Sequence, residues 1–121
     1  MINAADQRQV KKAKQRERWR RESELRDLSA VCHTREGRRF VWRTLTASGV
    51  FRVSFVQGEP ESTAFNEGRR SLGLSLMADL HELDPSLYGR MGKEALDEEK
   101  KQAEPAAEAD PQPTTEEIDN A

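Results

Sequence analysis

The sequence predicts an all-α protein, built as a small bundle of three to four helices with an extended strap. Good helix formers fill residues 4–32 without Gly or Pro. In three later segments apolar residues recur at spacings of three and four, as they do on one face of a helix. Only residues 50–56 alternate with period two, and no partner strand is visible for them. A long basic N-terminal helix and a disordered acidic C-terminal tail complete the predicted architecture.

Charge divides the chain into unequal halves. Residues 1–58 carry 14 Lys and Arg against 6 Asp and Glu, whereas residues 59–121 carry 6 against 16. The net charge of −2 therefore conceals a basic half and an acidic half. We expect three regions: a basic helical arm over residues 1–27, a small helical domain over 28–98, and a disordered acidic tail over 99–121. The tail has too few apolar residues to offset the entropy of folding.

The first helix is predicted over residues 4–32, with Asn3 as its N-cap. At about 1.5 Å per residue it reaches about 40 Å. Its first two thirds have no apolar face to bury, which leaves the basic side chains and one tryptophan available to an anionic partner. These candidate binding residues are Lys11, Lys12, Lys14, Arg16, Arg18, Trp19, Arg20 and Arg21.

A second helix follows over about residues 36–48, with Thr34 as N-cap and Gly49 in the left-handed position that closes it. Residues 50–56 come next. They form either a strap that places Phe51, Val53 and Phe55 on the helices or an edge offered to another chain, since an isolated strand cannot satisfy its own backbone. The strap is favoured.

The third helix is predicted to begin at Ser62 or Thr63 and to end at Leu83, and Asp84-Pro85 starts a fourth. The large apolar residues on one side of these helices are expected to form the core together with the aromatic residues of the second helix and the strap. This predicted core consists of Phe40, Trp42, Phe51, Phe55, Phe65, Leu72, Leu76 and Leu80.

The tetrad EGRR occurs at residues 36–39 and again at 67–70, and each copy is predicted to open a helix. Backbone amides at a helix N-terminus attract anions, so the arginines beside them are candidate anion sites. Arg69 falls on the apolar side of its helix and is expected to pair inside the domain with Glu36 or Glu67. Each tetrad glycine is expected to let another helix approach closely. The candidate sites that remain are Arg38, Arg39 and Arg70.

Several kinds of activity find no support in the sequence. One cysteine, Cys32, and two histidines cannot supply the usual ligand set of a structural zinc site within one chain. Neither phosphate-loop nor dinucleotide-binding glycine motifs occur. No apolar stretch is long enough to span a membrane. We therefore expect a non-enzymatic protein of the cytoplasm that has no cofactor, no metal and no membrane contact.

The words TREGRRFVWRTL, SGVFRVSF, STAFNEGRRSLG and LMADLHELDPSLY, which lie between Leu28 and Ala95, carry a family resemblance. This stretch resembles a family of small proteins of tailed bacteriophages and prophages, of the type found in the Bordetella tropism-switching phage. Members tend to be encoded near portal and head-assembly genes, so the resemblance implies a role in the virion or in its assembly. The arm and the tail lie outside the matching words.

The sequence thus favours a phage structural or assembly accessory protein that contacts a portal or head protein or itself. One alternative is a nucleic-acid-binding protein that contacts DNA through the basic arm. Another is a small inhibitor of a host protein. The first assignment places the protein in the host cytoplasm or in the virion.

Overall fold

Four helices account for most of the chain in the computed structural model, which describes residues 3–108. They are α1 (Ala4–Val31), α2 (Arg35–Ser48), α3 (Pro60–Leu83) and α4 (Leu87–Glu108). No strand occurs between residues 3 and 108. The predicted all-α class is confirmed.

Most of the predicted helix ends are also confirmed, because local side chains satisfy them. The Asn3 side chain accepts a hydrogen bond from the Asp6 amide, and the Thr34 side chain accepts one from the Gly37 amide. Gly49 closes α2 with a φ of 78°. The fourth helix begins at Leu87, so Pro85 lies in the turn before it and not in its first turn as expected. The third helix starts earlier than expected, at Pro60. Thr63 is therefore inside the helix rather than at its cap, and its hydroxyl bonds to the main chain of Val56.

The core lies where α2, α3 and α4 meet. Leu45, Leu80 and Met91 supply one fully buried side chain from each helix. Around them lie the other buried residues of the cluster and a partly buried rim, to which α1 contributes only Leu28. The buried cluster is Cys32, Val41, Leu45, Leu80, Leu87 and Met91, and its rim is Leu28, Trp42, Leu76, Met77, Leu83 and Tyr88.

The predicted core was wrong for the first half of α3, because a glycine makes the helix contact there. A Cβ on Gly73 would lie 2.0 Å from the Ser48 Oγ of α2, so the two backbones cross at this point. Leu72 precedes Gly73 by one residue and hence points about 100° away from the contact. It is 72% exposed, and Phe65, on the same stripe as Leu72, is 69% exposed. Of the predicted α3 core, Leu80 is fully buried and Leu76 is partly buried.

Three more aromatic residues of the predicted core are exposed. Phe40 lies on the side of α2 that faces away from the core, and Phe55 points out of the strap. Phe51 is about half exposed, but its ring lies 5.7 Å from the half-buried ring of Trp42 and 6.1 Å from that of Tyr88. The rings of Trp42, Phe51 and Tyr88 thus pack as a cluster on the rim of the core.

The predicted strap exists, but it is anchored differently from the prediction. Val50 is buried, whereas Val53 and Phe55 are exposed. Main-chain groups of the strap instead form hydrogen bonds with side chains of α3. For example, the side-chain amide of Asn66 donates to the Ser54 carbonyl at 3.1 Å. Polar contacts with α3 therefore hold the segment in place, and its outer side chains contribute nothing to the core.

The fourth helix extends further than expected, to Glu108. Residues 99–108, predicted as the beginning of the disordered tail, are helical. A helix that is already nucleated by packed residues such as Leu87 and Met91 propagates cheaply through the Glu, Lys, Gln and Ala of residues 99–104. The remainder of the predicted tail, residues 109–121, lies outside the described residues.

Candidate functional site

The N-terminal part of α1 forms a basic arm, defined here as residues 4–20. Every residue of the arm is exposed. The first residue of α1 with a recorded side-chain contact to another helix is Arg21. Seventeen helical residues therefore project about 25 Å beyond that contact. The boundary between arm and domain, predicted between residues 27 and 28, falls inside α1. The arm and the start of the domain therefore share one continuous helix.

Basic side chains dominate the arm and are unevenly placed around it. Residues 4–20 contain seven Lys and Arg but only Asp6 and Glu17 as acids, a net charge of +5. With 100° per residue, the two acids lie within about 20° of each other on the helix. Six cations occupy a sector of about 200° that excludes this acidic stripe: Arg8, Lys11, Lys12, Lys14, Arg16 and Arg18.

An exposed tryptophan lies within this cationic sector. Trp19 is 67% exposed, although burial would stabilise so large an apolar side chain. Together with Lys12, Gln15 and Arg16 it lines a shallow open patch on one side of the arm. A flat aromatic ring beside two cations suits a partner that combines negative charge with stacked or apolar groups.

Two predicted binding arginines of α1 already have partners within the chain. Arg20 pairs with Glu17 on the arm, with 2.6 Å between Nη2 and Oε2. Arg21 donates to the Glu82 carboxylate and lies 2.8 Å from Asp79 Oδ1, both on α3. The hydrogen bonds to Glu82 and Asp79 hold the pKa of Arg21 above its usual range. Arg21 thus joins the base of the arm to α3.

Arg38 was also predicted to bind a partner, but the structure buries it. That prediction was wrong. The Nε of Arg38 lies 3.0 Å from Glu94 Oε1, and its Nη1 donates to the carbonyl oxygens of Cys32 and His33 at 3.0 and 3.2 Å. These hydrogen bonds from Arg38 hold the pKa of Glu94 below its usual range. All the described partners of this guanidinium lie inside the protein.

The second EGRR tetrad has a different environment from the first. Its residues 67–70 lie two turns inside α3, not at its start, because the helix begins at Pro60. Arg69, expected to pair inside the domain with Glu36 or Glu67, is exposed; it donates to Asn66 Oδ1 at 3.3 Å and covers the Phe65 ring. Arg70 is half-buried. The structure therefore reverses the expected roles of the two copies: Arg38 is structural and Arg69 lies at the surface.

The two tetrad glycines differ in the same way. A Cβ on Gly37 would lie 1.6 Å from the Val31 carbonyl oxygen, so this position allows the end of α1 to touch α2, as expected of a close approach. Gly68 has open space around it, so the same prediction was wrong there. Arg39, beside the first tetrad glycine, is exposed.

Sequence reasoning missed the partners of Arg38. Glu94 lies 56 positions away from it in the chain, and no local spacing links the two residues. The position of Arg38 in the first turn of α2 was a signal that could have indicated such partners. The helix dipole disfavours a cation there, which calls for a compensating acid or for carbonyl acceptors. The end of α1 supplies the carbonyl acceptors, and Glu94 of α4 supplies the acid.

The side chains described between residues 3 and 104 form no metal site. No group of three or more His, Cys, Asp or Glu side chains among them is placed to hold a metal ion. A cavity between α2 and α4, next to Trp42 and Glu94, measures about 30 Å³, room for about one water molecule. None of the described helices is long and apolar enough to cross a membrane.

Comparison with known proteins identifies a family for this chain. No curated protein and no solved structure matches the chain. The sequence pattern of the family described as Bbp19-like phage protein matches residues 28–93. This range is more than half of the chain, and it contains α2, α3, the strap and both EGRR tetrads, but not the basic arm. The chain belongs to the family of Bbp19-like phage proteins.

Proposed function

We propose that the protein is a non-enzymatic structural or assembly accessory protein of a tailed phage, of the type found in the Bordetella tropism-switching phage. Its partner would be a portal or head protein, or another copy of the chain, reached in the host cytoplasm or in the virion. The observation that carries the proposal is the basic arm attached to a domain of this phage family. A 17-residue helix with no described contact to its own domain is well placed to bind a second surface.

The electrostatics of the arm favour a large partner with an acidic surface. Its cations cover a sector of about 200°, so they can neutralise a broad surface rather than one small ligand. Trp19, which lines the patch with Lys12 and Arg16, would supply apolar anchoring there. Because Arg21 fixes the base of the arm on α3, the arm would present this patch in a defined direction.

Mass spectrometry of purified virions tests the proposal. We expect the protein in particles in a constant ratio to portal or head protein, with cross-links from Lys11, Lys12 and Lys14 to that partner. Phage that encode the chain without residues 1–20 should lose those cross-links and incorporate less of the protein. Absence from virions and from assembly intermediates, together with expression early in infection, would contradict the proposal and favour an inhibitor of a host protein.

A second candidate function is nucleic-acid binding through the same arm. The observation that favours it is the separation of six exposed cations from the two acids, with Trp19 available to stack on a base. Arg20 and Arg21 are paired with acidic residues and would contribute less to this binding. Arg39, exposed on α2, would add a cation away from the arm.

The salt dependence of DNA affinity distinguishes this candidate from the first. If six cations contact phosphates, a plot of log affinity against log salt should have a slope of about −5. Replacing Lys11, Lys12 and Lys14 with Ala should bring the slope to about −2.7. The matched control replaces Lys100 and Lys101 of α4, exposed lysines outside the arm, and should leave the slope unchanged. Affinity that does not respond to salt would exclude DNA as the partner of the arm.

A further inference from the structure

The strap between α2 and α3 shows an alternation that the helical core does not explain. Val53 and Phe55 are 85% and 68% exposed, whereas Ser54 and Val56 are partly buried. Side chains that alternate between two sides with period two indicate an extended chain. Residues 53–56 therefore have the form of a short strand, although no strand pairs with them among the described residues.

The main-chain groups alternate in the same way. The Ser54 carbonyl accepts from Asn66 at 3.1 Å, and the Val56 amide donates to the Thr63 hydroxyl at 2.9 Å. The Thr63 hydroxyl also contacts the Val56 carbonyl, at 3.3 Å. The Ser54 carbonyl and both main-chain groups of Val56 thus point toward α3, whose side chains take the place of a neighbouring strand.

Val53 and Phe55 direct the same groups away from α3, because N–H and C=O groups alternate between the two edges of an extended chain. Within residues 3–108, the N–H and C=O groups of Val53 and Phe55 form no hydrogen bond. The strap consequently has one edge attached to α3 and one open edge. Proteins usually protect an open edge with Lys, Pro or an inward-pointing charge. The sequence Val53-Ser54-Phe55-Val56 contains none of these.

We propose that this open edge pairs with the same edge of a second copy of the chain, as a two-stranded antiparallel sheet across a two-fold axis. In this register Val53 of one copy faces Phe55 of the other, and Ser54 faces Ser54. Each Val53 and Phe55 pair exchanges two main-chain hydrogen bonds, which satisfies the open N–H and C=O groups of Val53 and Phe55 on both copies.

The side chains favour a second copy as the occupant, because the edge complements itself. The register places the exposed Val53 beside the exposed Phe55 of the other copy, a β-branched and aromatic pair that stabilises sheets. It places Arg52 opposite Val56, so no like charges face each other. The pairing surface is short, so the dimer should be weak and dependent on concentration.

Cysteine cross-linking tests the register directly. The only native cysteine, Cys32, is buried and is replaced with Ala in every variant. In an antiparallel pair, residues that face each other without hydrogen bonds have Cα atoms about 4.5 Å apart, within the range of a disulfide. Ser54→Cys should therefore form a disulfide-linked dimer on mild oxidation.

The neighbouring positions supply matched controls. In Val53→Cys alone or Phe55→Cys alone, the introduced cysteine lies diagonally across from the same cysteine of the other copy. The two Cα atoms are then about 7–8 Å apart or more, too far for efficient linkage. A mixture of the Val53→Cys and Phe55→Cys chains should give the cross-linked heterodimer. Equal yields at all three positions would show random collisions and overturn the register. No cross-linking of Ser54→Cys would overturn the dimer and leave the edge to an extended segment of another protein.

Solution mass gives an independent readout. As concentration rises from about 10 μM toward 1 mM, we expect the mass of the wild-type protein to rise from 13.8 kDa toward twice that value. Phe55→Pro removes an open N–H group and should abolish the increase. Phe65→Ala removes an equally exposed phenylalanine outside the strap and should leave the increase unchanged. A wild-type mass that stays monomeric throughout would contradict the proposal.

Discussion

Arg38 of α2 holds the Glu94 carboxylate of α4 through its Nε, at 3.0 and 3.1 Å from the two oxygens. The same guanidinium donates to the carbonyls of Cys32 and His33, where α1 has just ended. One arginine side chain therefore joins α2, α4 and the end of α1. Because it is only 6% exposed, each of these hydrogen bonds replaces water that cannot reach the group.

Arg38→Met should destabilise the fold by about 2–4 kcal/mol. Removing one partner of a buried ion pair leaves the other without compensation, and two carbonyls also lose their donor. Glu94 keeps some solvent access and its contact with Arg90, which limits the loss. Urea unfolding followed by circular dichroism measures the change. Arg39→Met, at the exposed neighbour, should change stability by less than about 0.5 kcal/mol, and similar losses for both variants would contradict the assigned role.

The same pair makes stability depend on pH in the acid range. Hydrogen bonding from Arg38 lowers the pKa of Glu94 in the folded state, so folding favours the charged carboxylate. The stabilisation is fully present above the unfolded-state pKa of Glu94 and is lost as pH falls through its folded-state pKa. We expect the stability difference between wild type and Glu94→Gln to shrink from pH 7 to pH 3. Glu99→Gln, on an exposed residue of α4, should show no such trend.

The helices could be predicted from the sequence because their signals are local. Asn3 and Thr34 cap the first two helices through hydrogen bonds that span three residues, and Gly49 closes α2 with its own φ. The same applies to the basic arm. A run of cations without an apolar face stays exposed wherever the domain lies. Such features need no knowledge of the tertiary fold.

The core could not be predicted equally well, because a contact between small residues determines it. Apolar periodicity on α3 favours the stripe of Phe65, Leu72 and Leu76, whereas the helix crosses α2 at Gly73 and Ser48. A glycine gives no hydrophobic signal, yet it sets the rotation of the helix by allowing the closest approach. The role of Arg38 escaped prediction for a related reason. Its acceptor Glu94 is distant in sequence, and the carbonyls it bonds carry no side-chain signal.

Substitution of the two glycines of α3 should have opposite effects. The Cβ of Gly73→Ala would lie 2.0 Å from Ser48 Oγ and 2.6 Å from Ser48 Cβ, so α2 and α3 must separate. We expect a loss of about 1–3 kcal/mol, as for other overpacked cores. Gly68→Ala meets open space and should stabilise the helix by about 0.5–1 kcal/mol. Thermal unfolding of the two variants measures both effects, and a neutral Gly73→Ala would contradict the helix crossing at this residue.

Removal of the arm should leave the stability of the domain unchanged. Residues 4–20 are all exposed, so a chain that begins at residue 21 loses no buried contact. We expect the same unfolding midpoint as wild type, with a circular dichroism signal reduced by about 17 helical residues. A chain that begins at residue 26 also loses Arg21 and the half-buried Leu25, which leaves Asp79 and Glu82 without their cation. Its midpoint should fall. A drop already present at the first truncation would show that the arm folds back onto the domain, against its proposed role as an independent binding element.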